Sequence, residues 1–133
     1  MSTVFVDTSA VLALLVPTDV HHKRAQRAFT QLAADEVRLM TTSYTLVECY
    51  ALIGRRLGLD ALTKFRADFA PLLDVVWIGS EEHERGLDLL EDSQSAKLSL
   101  VDAVSFVVAR DRDVERVFAF DPHFTSAGFT AVG

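Results

Sequence analysis

Short β-rich runs in this chain alternate with stretches of helical spacing, and that alternation constrains the fold more than any other feature. Thr3 to Val6 is the first run, followed by a helix that begins at Thr8 or Ser9 and stops at Pro17. Thr18-Asp19 can cap a second helix reaching about Ala34, with Ala25, Ala28, Phe29 and Leu32 on its apolar face. Val37 to Thr41 reads as the second strand. Ser43 to Leu57 reads as a helix stopped by Gly58, and Asp60 to Leu72 as another. Val75 to Ile78 is the third strand, Ser80 to Glu91 a helix, and Asp92 to Ser99 a polar loop. Leu100 to Asp111 is a helix, Val117 to Phe120 the fourth strand, and Phe129 to Val132 a candidate edge strand. Strands joined through helices need crossover connections, which build a parallel sheet. The expected fold is therefore α/β, a three-layer α/β/α sandwich around a central, mostly parallel sheet of four to five strands.

The 133 residues suit one domain spanning 1–133. Half the residues are hydrophobic and 24% are charged, which excludes a disordered chain. Cys49 is the single cysteine, so neither an internal disulfide nor a cysteine-based zinc site can form, as expected in a reducing, cytoplasmic setting. The longest apolar run, Ala10 to Val16, is too short to span a bilayer, and the first residues lack the basic region of a signal peptide. A soluble protein with no membrane partner is expected. The net charge of -6 argues against broad electrostatic binding of nucleic acid. It leaves open a nucleic-acid enzyme whose acids hold metal ions.

Four acids stand where such a sheet gathers its chemistry, outside the C-terminal strand ends. Asp7 follows strand one and Asp121 follows strand four. Glu48 lies in the first turns of the helix after strand two, and Asp102 in the first turn of the helix before strand four. Asp7, Glu48 and Asp121 are expected to approach one another, and Asp102 joins if its helix begins at the same edge. Each acid taken singly also reads as a helix cap. Thr45-x-x-Glu48 and Ser99-x-x-Asp102 have capping-box spacing, and Asp121-Pro122 looks like an N-cap with proline at the first helical position. The apolar runs around the acids favour a grouped site, because desolvated carboxylates repel unless a cation sits among them. Oxygen ligands without His or Cys suit Mg²⁺ or Mn²⁺ better than zinc. Ser9 and Ser105 stand two and three residues after Asp7 and Asp102, placed either to orient a carboxylate or to cap backbone.

These pieces carry a family resemblance. Val6-Asp7-Thr8-Ser9-Ala10, Thr45-x-x-Glu48, Leu98-Ser99-x-x-Asp102-Ala103-x-Ser105 and Phe120-Asp121-x-His123-Phe124 cover nearly the whole chain in order. The chain resembles a PIN-domain ribonuclease of the VapC toxin type, from bacterial toxin–antitoxin pairs. The resemblance implies Asp7, Glu48 and Asp102 as core acids and Asp121 as a fourth. It also implies hydrolysis of RNA phosphodiester bonds by metal-activated water, with one or two Mg²⁺ or Mn²⁺ ions, and inhibition by an antitoxin protein.

Rival readings fit less well. A receiver domain needs an acidic pair after strand one and a phospho-accepting Asp after strand three, where Ile78-Gly79-Ser80 stands. A haloacid-type phosphatase needs Asp-x-Asp after strand one, and Ser9 fills the second place. An inactive PIN-like interaction module remains the non-enzyme alternative, opposed by the four acids. His123 reads as a surface residue, Cys49 as a buried small hydrophobe, and Lys97 as a candidate phosphate contact. The apolar helices 43–57 and 60–72, around Tyr50, Ile53 and Leu57, are expected to form either deep core or a surface for homodimerisation or antitoxin binding.

Overall fold

A computed structural model describes residues 2–133. Its elements run β1 (Thr3–Val6), α1 (Thr8–Leu15), α2 (His22–Ala34), β2 (Arg38–Thr42), α3 (Ser43–Leu57) and α4 (Leu59–Lys64). They continue with β3 (Leu73–Val76), α5 (Ser80–Ser93), α6 (Leu100–Asp111), β4 (Arg116–Phe118), α7 (Pro122–Ser126) and β5 (Thr130–Val132). The five strands form one sheet in the order β3-β2-β1-β4-β5, and every pairing is parallel. This is the expected three-layer sandwich, with the candidate edge strand in place as β5.

The central strand shows why both faces are covered. Side chains alternate along a strand, so Val4 and Val6 enter one core with Ala10, Ala25, Leu32 and Ile53 from α1, α2 and α3. Phe5 enters the other, with Val104, Phe106 and Val108 of α6 and Phe124 of α7. Helices α5 and α6 lie close because Gly86 has no side chain. A Cβ there would stand 2.5 Å from Val104 Cγ2.

Several expected boundaries move, each for a visible reason. The segment after Gly58 is not one helix to Leu72. Past Lys64 it widens into a π turn over Phe65–Phe69, where Ala70 N–H donates to Phe65 O, and tightens into a 3-10 turn over Ala70–Leu72. Pro71 has no N–H with which to continue an α-helix. Strand β3 starts and ends two residues early. Its partner β2 stops at Thr42, opposite Val76, and Ile78 N–H donates instead to Ser43 Oγ at 2.9 Å. Trp77 is consequently left 73% exposed. Strand β4 stops at Phe118, opposite Val6, the last residue of β1. Ile53 is fully buried, so it belongs to the core and to no exposed surface; Val47 and Leu57 on the same helix, and Leu59 and Leu72 after it, are exposed.

Candidate active site

Strand order decides where the chemistry gathers. From β1 the chain steps to β2 and β3 on one side, then to β4 and β5 on the other. The crevice outside the C-terminal ends of β1 and β4 is thus the point where the winding reverses, the usual ligand position in an open parallel sheet. Asp7 leaves β1 into that crevice and Asp121 leaves β4 into it.

Asp7 is the N-cap of α1, and its Oδ2 accepts from Ser9 N–H at 3.1 Å and Ser9 Oγ–H at 2.7 Å. Ser9 Oγ in turn accepts from Phe120 N–H at 2.9 Å, tying the exit of β1 to the exit of β4. Asp7 is only 4% exposed. Burial pushes its carboxyl up to about 6, against the lowering effect of the two Ser9 hydrogen bonds, and the charges of Asp102 and Asp121 add to the rise.

Asp102 sits in a capping box at the start of α6. Its N–H donates to Ser99 Oγ at 3.1 Å, and its Oδ2 accepts from Ser99 N–H at 3.4 Å. Asp121 caps α7 by accepting from His123 N–H at 2.9 Å. Capping and grouping, posed as alternatives by the sequence, thus occur together. A carboxylate offers about four acceptor sites and a cap uses only one of them, which leaves room for a further partner.

That partner includes His123, which is not a mere surface residue. Its Nδ1 lies 3.2 Å from Asp102 Oδ2 and 3.1 Å from Asp121 Oδ1. With carboxylate acceptors on both sides, Nδ1 carries the hydrogen. One ligand atom from each of Asp102, Asp121 and His123 falls within 4.8 Å of the others, a spacing that fits a single metal ion. The expected oxygen-only donor set therefore has a nitrogen beside it. The signal was present in Asp121-x-His123, since an N-cap turn places residue i+2 back over the capping carboxylate.

Glu48 is placed differently. Thr42 caps α3, its Oγ1 accepting from Thr45 N–H at 3.1 Å, so the Thr45–Glu48 box does not form. Glu48 stands half-buried in the second turn. Among the described residues its carboxylate takes part in no hydrogen bond or ion pair. The adjacent Cys49 thiol, donating to Thr8 Oγ1 at 3.8 Å, is pushed up to about 12 by burial first, with the charges of Asp7 and Glu48 adding to it. Both carboxylates thus act on one thiol between α1 and α3. Cys49 is buried, as expected of a small hydrophobe, and burial keeps it in the thiol form.

Ser105 Oγ donates to Val101 O at 2.8 Å and lies 3.4 Å from Thr45 Oγ1, turned along its own helix and toward α3 rather than toward the Asp102 carboxylate.

Together these features define a class: an all-parallel α/β/α domain with carboxylates gathered at its switch point. Comparison with known proteins makes this specific. The PIN domain family matches residues 4–130, and the chain belongs to that family. It is 32% identical over 130 residues to the 23S rRNA-specific endonuclease VapC20 of Mycobacterium tuberculosis, covering 97% of both chains. The crystal structure of that protein, described as a Sarcin-Ricin loop cleaving toxin, superposes with a TM-score of 0.83 over 96% of each chain. Ribonuclease VapC1 of Aquifex aeolicus is 24% identical over 123 residues, 92% of this chain and 84% of that one. DNA-bound VapBC of Salmonella typhimurium shares the fold, with a TM-score of 0.71 at 13% identity, over 98% of this chain and 97% of that one. No described helix is long and apolar enough to cross a membrane.

Proposed function

We propose that this protein is a divalent-cation-dependent endoribonuclease and the toxin of a toxin–antitoxin pair. The observation that carries the reading is the acid group at the β1/β4 crevice, where the Asp7 charge is disfavoured first by burial and further by the neighbouring Asp102 and Asp121 carboxylates. Similarity to VapC20 and VapC1, both named for RNA cleavage, supports RNA as substrate. The description of the VapC20 structure as a toxin and the fold shared with VapBC support an antitoxin protein as partner, and a homodimer is the assembly we expect.

The residues fit a cation on their own chemistry. Asp102, Asp121 and His123 offer converging donor atoms, and Asp7 carries unfavourable negative charge that a cation would relieve. Asp7, Asp102 and Asp121 would hold it, with Glu48 reaching in from α3. The cation supplies Lewis acidity, making water a usable nucleophile at neutral pH and offsetting charge on the phosphate. Ser9 holds the Asp7 carboxylate in place through two hydrogen bonds, and the capping box fixes Asp102. His123 spans Asp102 and Asp121 and is placed to hold a proton at Nδ1 beside the phosphate. Mg²⁺ and Mn²⁺ both suit a carboxylate site.

The test is cleavage mapping of total RNA with Mg²⁺, Mn²⁺, Zn²⁺ or EDTA, against Asp7→Asn. Cuts that require Mg²⁺ or Mn²⁺ and vanish in EDTA and in the variant are expected. Full activity in excess EDTA would overturn the metal mechanism. A protein that neither cuts RNA nor gains stability from Mn²⁺ is the inactive interaction module instead.

A further inference from the structure

The acid group is not the end of the crevice. A cleft of about 480 Å³ opens beside Asp121 and His123 and is lined also by Asp19, His21, Lys97 and Phe120. That volume lies within the range of clefts that hold small ligands, about 300–1,000 Å³. The His21 and Phe120 rings stack in it, with centroids 4.6 Å apart and planes 4° from parallel. Both residues line the cleft and both are half-buried, so the stacked pair forms part of the cleft wall. Asp19 Oδ1 accepts from His21 N–H at 2.8 Å and fixes the start of α2 that carries the ring. The Arg24 guanidinium lies 5.4 Å from the Phe120 centroid and adds a cation to the pair. Lys97 brings an ammonium group from the loop before Asp102.

We infer that this cleft is the subsite for the nucleotide next to the scissile phosphate. The unpaired base stacks on the His21–Phe120 pair, and Lys97 takes the phosphate of that nucleotide. The inference rests on the nuclease reading and adds to it a subsite that positions the nucleotide beside the acid group. Stacking on aromatic and imidazole rings is how proteins hold unpaired bases, and a paired base has no free face to offer. Broad charge attraction is not available to a chain of net charge -6. A flat ring face and one or two local cations therefore carry the contact. Continuity with Asp121 and His123 sets the register: a strand with one phosphate at the acid group has its next nucleotide in this cleft.

The experiment uses a fluorescently labelled, mixed-sequence single-stranded RNA pool in Mn²⁺. It compares the intact wild-type protein with His21→Ala, His21→Phe and Lys97→Gln. Initial cleavage rates give KM and kcat, anisotropy extrapolated to zero time gives binding, and thermal melts give the Mn²⁺ stabilisation. His21→Ala should raise KM about 5- to 150-fold, the range for loss of one stacked base, with kcat within about twofold. His21→Phe keeps a flat ring and should restore KM to within about threefold of wild type. Lys97→Gln should flatten the dependence of log KM on log salt by about 0.7, one phosphate contact on a single strand. The Mn²⁺ stabilisation should be the same in all four proteins, since neither residue is in the cation group. An unchanged KM in His21→Ala, or no recovery in His21→Phe, overturns the subsite and leaves the nuclease reading standing. If the wild type cuts nothing, the nuclease reading falls, and anisotropy judges the cleft alone. Weaker binding by His21→Ala than by wild type and His21→Phe then supports it, and equal binding overturns it.

Discussion

Two buried polar clusters sit side by side on the C-terminal edge of the sheet, and they behave oppositely. At the end of β2, Thr41, Thr42, Ser43 and Thr45 are each at most 7% exposed. Their hydroxyls close on protein partners. Thr41 Oγ1 donates to Val6 O at 2.8 Å, Thr42 Oγ1 donates to Thr45 Oγ1 at 3.3 Å, and Ser43 Oγ accepts from Ile78 N–H. At the ends of β1 and β4, Asp7, Asp102 and Asp121 are also satisfied by backbone or hydroxyl donors, yet charge is left over. Hydroxyls are neutral donors and acceptors and complete one another. Carboxylates only accept, so grouping them leaves a need for positive charge that caps do not meet. The first cluster holds the fold together; the second is the one we propose as the site.

The largest effect that separates the two is on cleavage. Asp102→Asn or Asp7→Asn should lower the rate by about 1,000-fold or more, the scale of removing a charged group from the reacting centre. Thr41→Val should leave the rate within about twofold, because its hydroxyl serves a backbone carbonyl. Equal losses from both would mean the clusters act as one unit.

The next effect is on stability, and its sign follows from protonation. Asp7 titrates at about 6 in the folded protein against 3.8 ordinarily, so between these pH values the folded state holds a proton that the unfolded chain has lost. Without metal, stability should therefore fall as pH rises from about 4 to about 6, by roughly 3 kcal/mol in total, and level off above. Asp7→Asn should abolish this slope and be the more stable protein at pH 7, since Asn can still cap α1. Mn²⁺ should stabilise the wild type above pH 6 and progressively less below it, where it competes with the Asp7 proton. Urea melts from pH 4 to 8 in EDTA and in Mn²⁺ check all three. A metal-free stability that rises across pH 4–6 would mean Asp7 gains more from its cap than it loses to burial.

Ser9→Ala should come third. It strips one donor from Asp7 and leaves Phe120 N–H without its acceptor, costing about 1–3 kcal/mol and moving the Asp7 slope to higher pH. Thr41→Val should cost about 1 kcal/mol with an unchanged Mn²⁺ shift. The smallest effect belongs to Ser105→Ala. Its hydroxyl bonds within its own helix, so stability should change by less than about 1 kcal/mol and cleavage hardly at all. A cleavage loss above about tenfold would place that hydroxyl on the Asp102 carboxylate during the reaction.

The alternation of strand and helix and the parallel sheet were legible in the sequence, because each rests on local spacing. Strand ends were less legible, because a strand stops where its neighbour stops. Nothing local in Val75-Val76-Trp77-Ile78 says that β2 ends opposite Val76. The capping motifs were read correctly at Ser99–Asp102 and Asp121–Pro122 and misread at Thr45–Glu48, where Thr42 already holds the cap.

What the sequence determined by itself is the edge of the sheet that Asp7 and Asp121 occupy, since each follows a strand whatever the strand order; Asp102 depended on where α6 begins. Which of them meet was decided by the tertiary structure alone. Putting β4 beside β1 brings Asp121 to Asp7, and the start of α6 on the second face brings Asp102 beneath His123. Glu48 stands on α3, after β2 on the other side of β1, and among the described residues it makes no hydrogen bond or ion pair to the group. His123 and His21 became visible as candidate site residues for the same reason. Each owes its place to a neighbour distant in sequence: His21 to Phe120, and His123 to Asp102. Hydrophobic spacing fixes which face of an element is buried; it carries no information about which polar group on another element will stand opposite.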